Sequence, residues 1–433
     1  MRRALLVSYY FPPRFSVGGK RAYRFAKFLP EHGWAATVLT ARPPPGERLD
    51  PSFAEADLPA CDVRRDYLTD AELARMPRRA LGSDGTVEAP TEAPMPVARR
   101  RGLARVAAEL RYVRVIGPDA GRIPALAARI ARLAREASAE VIFASGAPWE
   151  TVLAGLLAGR AVGRPVVVDF RDPWSFGPVM ATRPAWVRAA VALVERAAVG
   201  AAAALTVTSE MTRDAYAARG IARRVVSIRT GFDPDAAVAP RRDGAVTLVH
   251  FGNCYSERTL APFVRALAAV ARRRSLGPGA IRLLNLGRVA GSDLRLAEEL
   301  GVSRLFEHRA VLPYAEGLGL VAGADLALLT GFGDEPYLLP GKLYDYLLAR
   351  APVLAVSPSP EVARILDATR LGWTHAAGDA AGIERRIEDA VDARAAGRPL
   401  VEPDGAALAG LSARAAAGAL ARLFEEVAAR GAG

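Results

Sequence analysis

Cysteine, histidine and lysine are scarce in this chain. The two cysteines, Cys61 and Cys254, lie far apart, and the four histidines, His32, His250, His308 and His375, show no ligand spacing. A disulfide scaffold and a zinc module are thereby excluded as organising principles. No apolar run reaches the roughly 18 residues of a membrane-spanning helix; the longest uncharged stretch in the middle of the chain, Ala197–Ser209, is shorter and alanine-rich. The start, Met1-Arg2-Arg3 followed by Ala4-Leu5-Leu6-Val7, has the outline of a secretory leader. Pro12-Pro13 and Arg14 interrupt it before any small-residue cleavage site, so a cytoplasmic start without a transmembrane helix is expected.

Of the 58 basic residues only Lys20, Lys27 and Lys342 are lysines, so arginine fills nearly every cationic position. A lysine kept against that background marks a place where a compact, rotatable ammonium suits better than a planar fork. Against 46 acids the basic residues give a net charge of +12, which favours anionic partners such as nucleotides, phospholipid surfaces or nucleic acid. Apolar residues at 51% and charged residues at 24% exclude a largely disordered or collagenous chain. With 433 residues, against roughly 150 for an ordinary domain, more than one core is expected.

Short apolar, β-branched runs alternate with longer Ala/Leu/Arg patterns at helical spacing. The strand candidates of the first half are Leu5–Ser8, Ala36–Thr40, Val141–Ser145, Val166–Phe170, Leu205–Thr208 and Val225–Ile228, with helical stretches such as Lys20–His32 and Pro124–Ser138 between them. Near-continuous apolar strands alternating with helices predict a parallel sheet covered on both faces. The loop Pro234–Gly244 breaks the alternation, which restarts with Val246–Phe251, Ile281–Leu286, Phe306–Val311, Leu326–Thr330 and Val353–Val356. The expectation is therefore an α/β chain of two tandem Rossmann-like domains, 1–235 and 245–400, and a last helix within 401–433 that could pack on either. Residues Arg75–Pro96, rich in proline, read as a loop. Arg99–Arg114 carries six arginines against one acid, Glu109; it reads either as a basic amphipathic helix for an anionic membrane or as a solvated face over a core stripe.

In open parallel sheets ligands bind beyond the carboxyl ends of the strands, so the residues after each strand are the site candidates. After the first strand, Gly18-Gly19-Lys20 opens a helix; paired glycines there let backbone N–H groups approach an anion or a sugar. The loop Ser145-Gly146-Ala147-Pro148-Trp149 is a second small-residue entry to a helix, with ordinary turn chemistry as its default reading. Val166–Phe170 ends in Asp169-Phe170-Arg171-Asp172-Pro173-Trp174, where carboxylates flanking an arginine either pair with it or work on a ligand. In the second half, Gly252 ends the first strand and Arg258 follows. Pro340-Gly341 sets Lys342 at a helix N-terminus, with Asp345 on the same face at i,i+3. That pair reads either as an intrahelical ion pair or as Lys342 with Arg258 on a diphosphate and Asp345 on ribose hydroxyls.

Tyr9-Tyr10-Phe11-Pro12-Pro13 with Gly18-Gly19, the Asp169–Trp174 segment, Thr230-Gly231-Phe232-Asp233 and Pro340–Val353 occur in one order. In that order the chain resembles the family-4 glycosyltransferases of the GT-B fold, in particular bacterial members that build surface polysaccharides and other glycoconjugates. The resemblance implies two Rossmann-like domains facing a central cleft, the first binding the acceptor and the second a nucleotide-sugar. The family's basic pair on the diphosphate maps to Arg258 and Lys342. The second acid of its Glu-x7-Glu motif falls on Asp345; the first falls on Tyr337, with Asp334 and Glu335 beside it as substitutes.

Glycosyl transfer builds negative charge on the departing phosphate, which calls for cations and helix N-termini more than for a strong base. Arg258 and Lys342 would supply this, so no cofactor or metal beyond the nucleoside-diphosphate sugar is expected. The resemblance implies retention of anomeric configuration; if the reaction inverts instead, Asp172, beside Arg171, is the candidate base. The expected partners are the donor, a glycan, lipid-linked or small-molecule acceptor, and an anionic membrane touched through Arg99–Arg114 at its inner face, with no nucleic acid. A sugar-nucleotide epimerase of the same architecture and a non-catalytic binding protein are the alternatives. An epimerase would be expected to carry paired carboxylates and a histidine, and no histidine of the first half follows a suitable strand.

Overall fold

A computed structural model describes residues 1–14, 18–43, 47, 49–53, 57–58, 60–70, 72, 120–177, 180, 183–221, 224–254, 258–331 and 336–431. The expected loop over 75–96, the arginine-rich segment 99–114, Asp334 and Glu335 lie outside these residues. The chain divides into two compact units, one holding residues up to Thr230 together with Ala413–Gly433, the other Gly231–Ser412. Among the described residues no helix is long and apolar enough to cross a membrane.

The first unit is built on seven parallel strands: β1 (Arg2–Ser8), β2 (Trp34–Leu39), β3 (Cys61–Arg64), β4 (Val141–Gly146), β5 (Val166–Phe170), β6 (Ala204–Val207) and β7 (Val225–Ser227). They lie in the order β3-β2-β1-β4-β5-β6-β7. Their side chains alternate between two buried faces. Leu5, Val7, Ile142, Ala144, Val168 and Phe170 point to one face, under helices α2 (Ile123–Glu136), α3 (Trp149–Val162), α4 (Ala185–Ala201) and α5 (Glu210–Ala218). Leu6, Val141, Phe143 and Val167 point to the other, under α1 (Gly19–Phe28). Burial on both sides is why the central strands carry almost no polar residues.

The second unit repeats the plan with six parallel strands: β8 (Val246–Phe251), β9 (Ile281–Leu286), β10 (Phe306–Arg309), β11 (Leu326–Thr330), β12 (Val353–Val356) and β13 (Gly372–His375), in the order β10-β9-β8-β11-β12-β13. Helices α6 (Ala261–Arg273), α7 (Gly291–Glu299) and α11 (Ala380–Ala395) cover one face; α8 (Tyr314–Ala322), α9 (Gly341–Ala349), α10 (Pro360–Thr369) and α12 (Gly405–Gly410) cover the other. The units divide after Thr230, earlier than the loop Pro234–Gly244 suggests. Phe232 already packs in the second core, and Arg241 N–H donates to the Gly319 carbonyl at 2.9 Å.

The final helix, α13 (Ala413–Gly431), packs on the first unit. Ala417, Leu420, Phe424 and Val427, spaced at i,i+3 and i,i+4, form an apolar stripe buried with Trp34 and Phe143. The Phe424 ring meets Trp34 edge-on at 5.3 Å. His32 Nε2 contacts the Arg414 carbonyl oxygen at 3.1 Å, and Glu31 pairs with Arg414 at 2.7 Å.

Candidate functional site

In the second unit, the carboxyl ends of β8 and β9 and the start of α9 meet around one ammonium. Helix α9 begins after Pro340 with no side-chain cap on its first N–H groups, so its positive dipole end is left for an anion. Lys342 sits in that first turn. Its Nζ lies 2.5 Å from His250 Nε2, at the end of β8. Gly252 follows directly after β8 with φ of +134°, a conformation closed to most L side chains. A Cβ there would stand 3.4 Å from Lys342 Nζ, so glycine leaves the ammonium uncovered on that side.

The tautomer of His250 follows from its other neighbour. Asn285 Nδ2 donates to the carbonyls of Gly287 at 2.7 Å and Arg288 at 3.2 Å, which turns its Oδ1 toward His250 Nδ1 at 2.6 Å. Oδ1 can only accept, so Nδ1 carries the proton and Nε2 presents its lone pair to Lys342. Burial, then the charges of Lys342 and Arg258, hold His250 well below the usual histidine range, against the hydrogen bond to Asn285. The ring is therefore a neutral acceptor that aims the lysine.

Burial and the positive charge of Arg258 push Lys342 down to about 7, while Cys254 and Asp345 work the other way. Arg258 is half-buried. Cys254 Sγ lies 3.7 Å from His250 Nδ1, and burial pushes its thiol up to about 11. Asp345 is buried and accepts the Tyr314 hydroxyl at 2.7 Å on Oδ1. Lys342, in the first turn of α9 and short of its full charge beside the positive charge of Arg258, will gain from an arriving diphosphate.

In the first unit the carboxyl ends of β1, β4 and β5 converge. Asp169 forms no pair with Arg171, which was the plain alternative. It takes Arg21 in a fork, with Nη2 at 2.7 Å and Nε at 3.1 Å, and also accepts Ser145 Oγ at 2.8 Å and Thr206 Oγ1 at 2.7 Å. Arg21 Nη1 donates on to the Ile228 carbonyl at 2.7 Å. This closed, buried network ties α1 to β4, β5 and β6 and serves the fold. Arg171 instead donates to the carbonyls of Gly146 at 3.1 Å and Ala147 at 2.9 Å, and its guanidinium stands 5.7 Å from the Tyr10 ring centroid. A Cβ on Gly18 would overlap that guanidinium, so a side chain there would displace Arg171. Gly18, Arg171 and Gly146 thus form one cluster. Gly19 is buried at the start of α1, Lys20 Nζ lies 6.0 Å from the Phe53 ring, and Asp172 is exposed at the end of β5.

Sequence reasoning missed His250, Asn285 and Arg21. Arg21 directly follows Gly18-Gly19-Lys20, which could have marked it, and a buried polar residue near the carboxyl end of a strand is the signal that could have found the first two. Among the described residues, no three His, Cys, Asp or Glu side chains gather as a metal site.

Two parallel α/β sheets, each with its polar residues at the strands' carboxyl ends, define the GT-B class of fold. Residues 18–231 match the family described as Glycosyl transferase 4-like domain, a span that ends at the boundary between the two units. No curated protein matches the chain. Among solved structures it is similar to a sucrose-phosphate synthase from Thermosynechococcus elongatus, with a TM-score of 0.66, 16% identity and coverage of 99% of this chain and 100% of that one. It is also similar to a glycosyltransferase from Rickettsia africae, with a TM-score of 0.58, 11% identity and 98% of both chains covered. A third similar structure is a putative UDP-N-acetylglucosamine 2-epimerase from Listeria monocytogenes, with a TM-score of 0.55, 10% identity and coverage of 98% and 97%. At these identities the structural likeness speaks for the fold alone.

Proposed function

We propose that the chain transfers a glycosyl group from a nucleoside-diphosphate sugar to an acceptor hydroxyl, with retention, in the assembly of a glycoconjugate or surface polysaccharide of the bacterial type. The second unit takes the donor and the first the acceptor. The bond from the anomeric carbon to the diphosphate oxygen breaks, and a bond from that carbon to the acceptor oxygen forms. The acceptor's proton passes to the departing diphosphate. Lys342 and Arg258 neutralise the charge that builds on the diphosphate, together with the α9 N-terminus. Asp345 accepts ribose hydroxyls, with Gly252 leaving room for the phosphates; Gly18, Gly146 and Arg171 shape the acceptor side.

The observation that carries this reading is the ammonium of Lys342, aimed by His250 over Gly252 at the carboxyl ends of the second sheet. The epimerase alternative draws on fold likeness only. His32, the one histidine of the first unit, bonds to the Arg414 carbonyl in α13, away from the carboxyl ends of that unit's strands.

A thermal-shift screen against nucleoside diphosphates tests the reading. Stabilisation of the wild type and its loss in Lys342→Ala are expected, with transfer reduced on the order of a hundredfold or more, as when one charge-stabilising donor is removed. Stabilisation left unchanged in Lys342→Ala would remove the lysine from the site. Isomerisation of the sugar-nucleotide without any acceptor would favour the epimerase.

A further inference from the structure

Among the described residues, the large apolar side chains most exposed to solvent are Met1, Leu49, Leu157, Trp186 and Leu193. Three of these five lie on α3 and α4, two helices that pack against each other on one face of the first sheet. Trp186 and Leu193 are 58% and 71% exposed. They are two turns apart on α4, so they share one stripe, which the exposed Ala189, Ala197 and Gly200 continue. The opposite side of α4 is satisfied by the core through Val187, Val191, Ala198 and Val199. The outward stripe therefore contributes nothing to packing of the unit.

The charges of this face have one sign. The only acids on α3 and α4 are Glu150 and Glu195, and both are buried; Glu195 accepts from Ser175 and from the Tyr216 hydroxyl. The exposed charges are arginines: Arg160 on α3, Arg164 just after it, and Arg188 and Arg196 on α4. None of the four pairs with a carboxylate among the described residues; Arg188 and Arg196 rest on backbone carbonyls. Where the carboxyl ends of the two helices meet, Leu156, Arg160, Arg164, Gly200 and Arg224 line an open groove of about 610 Å³.

We propose that the outward face of α3 and α4 docks on an anionic phospholipid bilayer. Tryptophan, leucine and small residues enter the headgroup boundary, and the flanking arginines extend their long stems to the phosphates. A bilayer fits these observations better than an acidic protein. The stripe is a convex helix face with a single large ring and small residues between, which gives a rigid partner little shape to match, and the charge is diffuse along it. This surface is distinct from the segment 99–114, and the proposal stands independently of the donor chemistry assigned to the second unit.

Flotation of the full chain with vesicles tests it, using phosphatidylcholine alone and phosphatidylcholine mixed with phosphatidylglycerol. The wild type should float with the mixed vesicles only, and less as salt rises. Each of Arg188→Glu and Arg196→Glu should weaken partitioning by roughly fivefold or more, from about 1 kcal/mol per basic residue near the surface. Trp186→Ser with Leu193→Ser should abolish flotation. All these side chains are exposed, so the variants should melt with the wild type, and a matched melting curve is required of each. The proposal is overturned if the wild type does not float with the mixed vesicles, or floats equally with phosphatidylcholine alone. It is also overturned if the folded variants float as the wild type does, which would assign any membrane contact to another part of the chain.

Discussion

Lys342 should make nucleotide binding depend on pH in a window set by its surroundings. In the free protein its ammonium is held down to about 7. A bound diphosphate favours the charged form and raises that value, so the complex holds more protons than the free protein and affinity falls as pH rises. The neighbours do not blur the window. Burial keeps the Cys254 thiol up at about 11, His250 stays neutral throughout, and Arg258 keeps its charge. The nucleotide's terminal phosphate, with a pKa of about 6, has lost its last proton before the window opens. If the ammonium form is the one that binds, its fraction drops from about one half at pH 7 to about one hundredth at pH 9, a roughly fifty-fold loss of affinity. Isothermal titration of a nucleoside diphosphate at pH 7, 8 and 9, in two buffers of different ionisation enthalpy, measures both the slope and the proton taken up. Lys342→Arg carries a cation that does not titrate, so its profile should be flat whatever its absolute affinity. A wild-type affinity that is level from pH 7 to pH 9, with no proton uptake, while Lys342→Ala still abolishes binding, would refute the reasoning about the site's electrostatics.

Other consequences concern the fold and the base. Asp169→Asn leaves Arg21 buried without its counter-charge and should cost about 3–5 kcal/mol in urea unfolding of the first unit. Phe424→Ala removes a fully buried ring shared by α13, Trp34 and Phe143 and should cost about 3–5 kcal/mol, with the loss seen in that same transition. Asp172→Asn should lower kcat by less than roughly tenfold if the leaving diphosphate takes the acceptor's proton; a loss of about a thousandfold would make Asp172 a general base and the reaction inverting.

The central strands of both sheets were legible because burial on two faces writes them as unbroken apolar runs. Two of the four edge strands, β3 and β13, were not. β3 reads Cys-Asp-Val-Arg and is half exposed, and β13 reads Gly-Trp-Thr-His with every residue only partly buried; each pairs on one side, so neither needs an apolar run. For α13 the stripe of Leu420, Phe424 and Val427 identifies a helix, but nothing local says which core receives it.

The candidate site divides the same way. Lys342 and Arg258 were readable from the glycine and proline around them and from the rarity of lysine. His250 and Asn285 were hidden because what they do depends on a register that pairs His250 with Asn285 across β8 and β9. Arg21 and Asp169 are separated by 148 positions, a distance at which no spacing rule operates, so the arginine beside Asp169 in sequence, Arg171, was the natural but incorrect partner.

The cationic site of the second unit carries the proposed function, and a crystal structure with a nucleoside diphosphate bound tests it most directly. The prediction is phosphate oxygens within about 3 Å of both Lys342 Nζ and the Arg258 guanidinium, above Gly252 and at the α9 N-terminus. A nucleotide seated elsewhere, with Lys342 Nζ still bound to His250 and touching no phosphate, would contradict it.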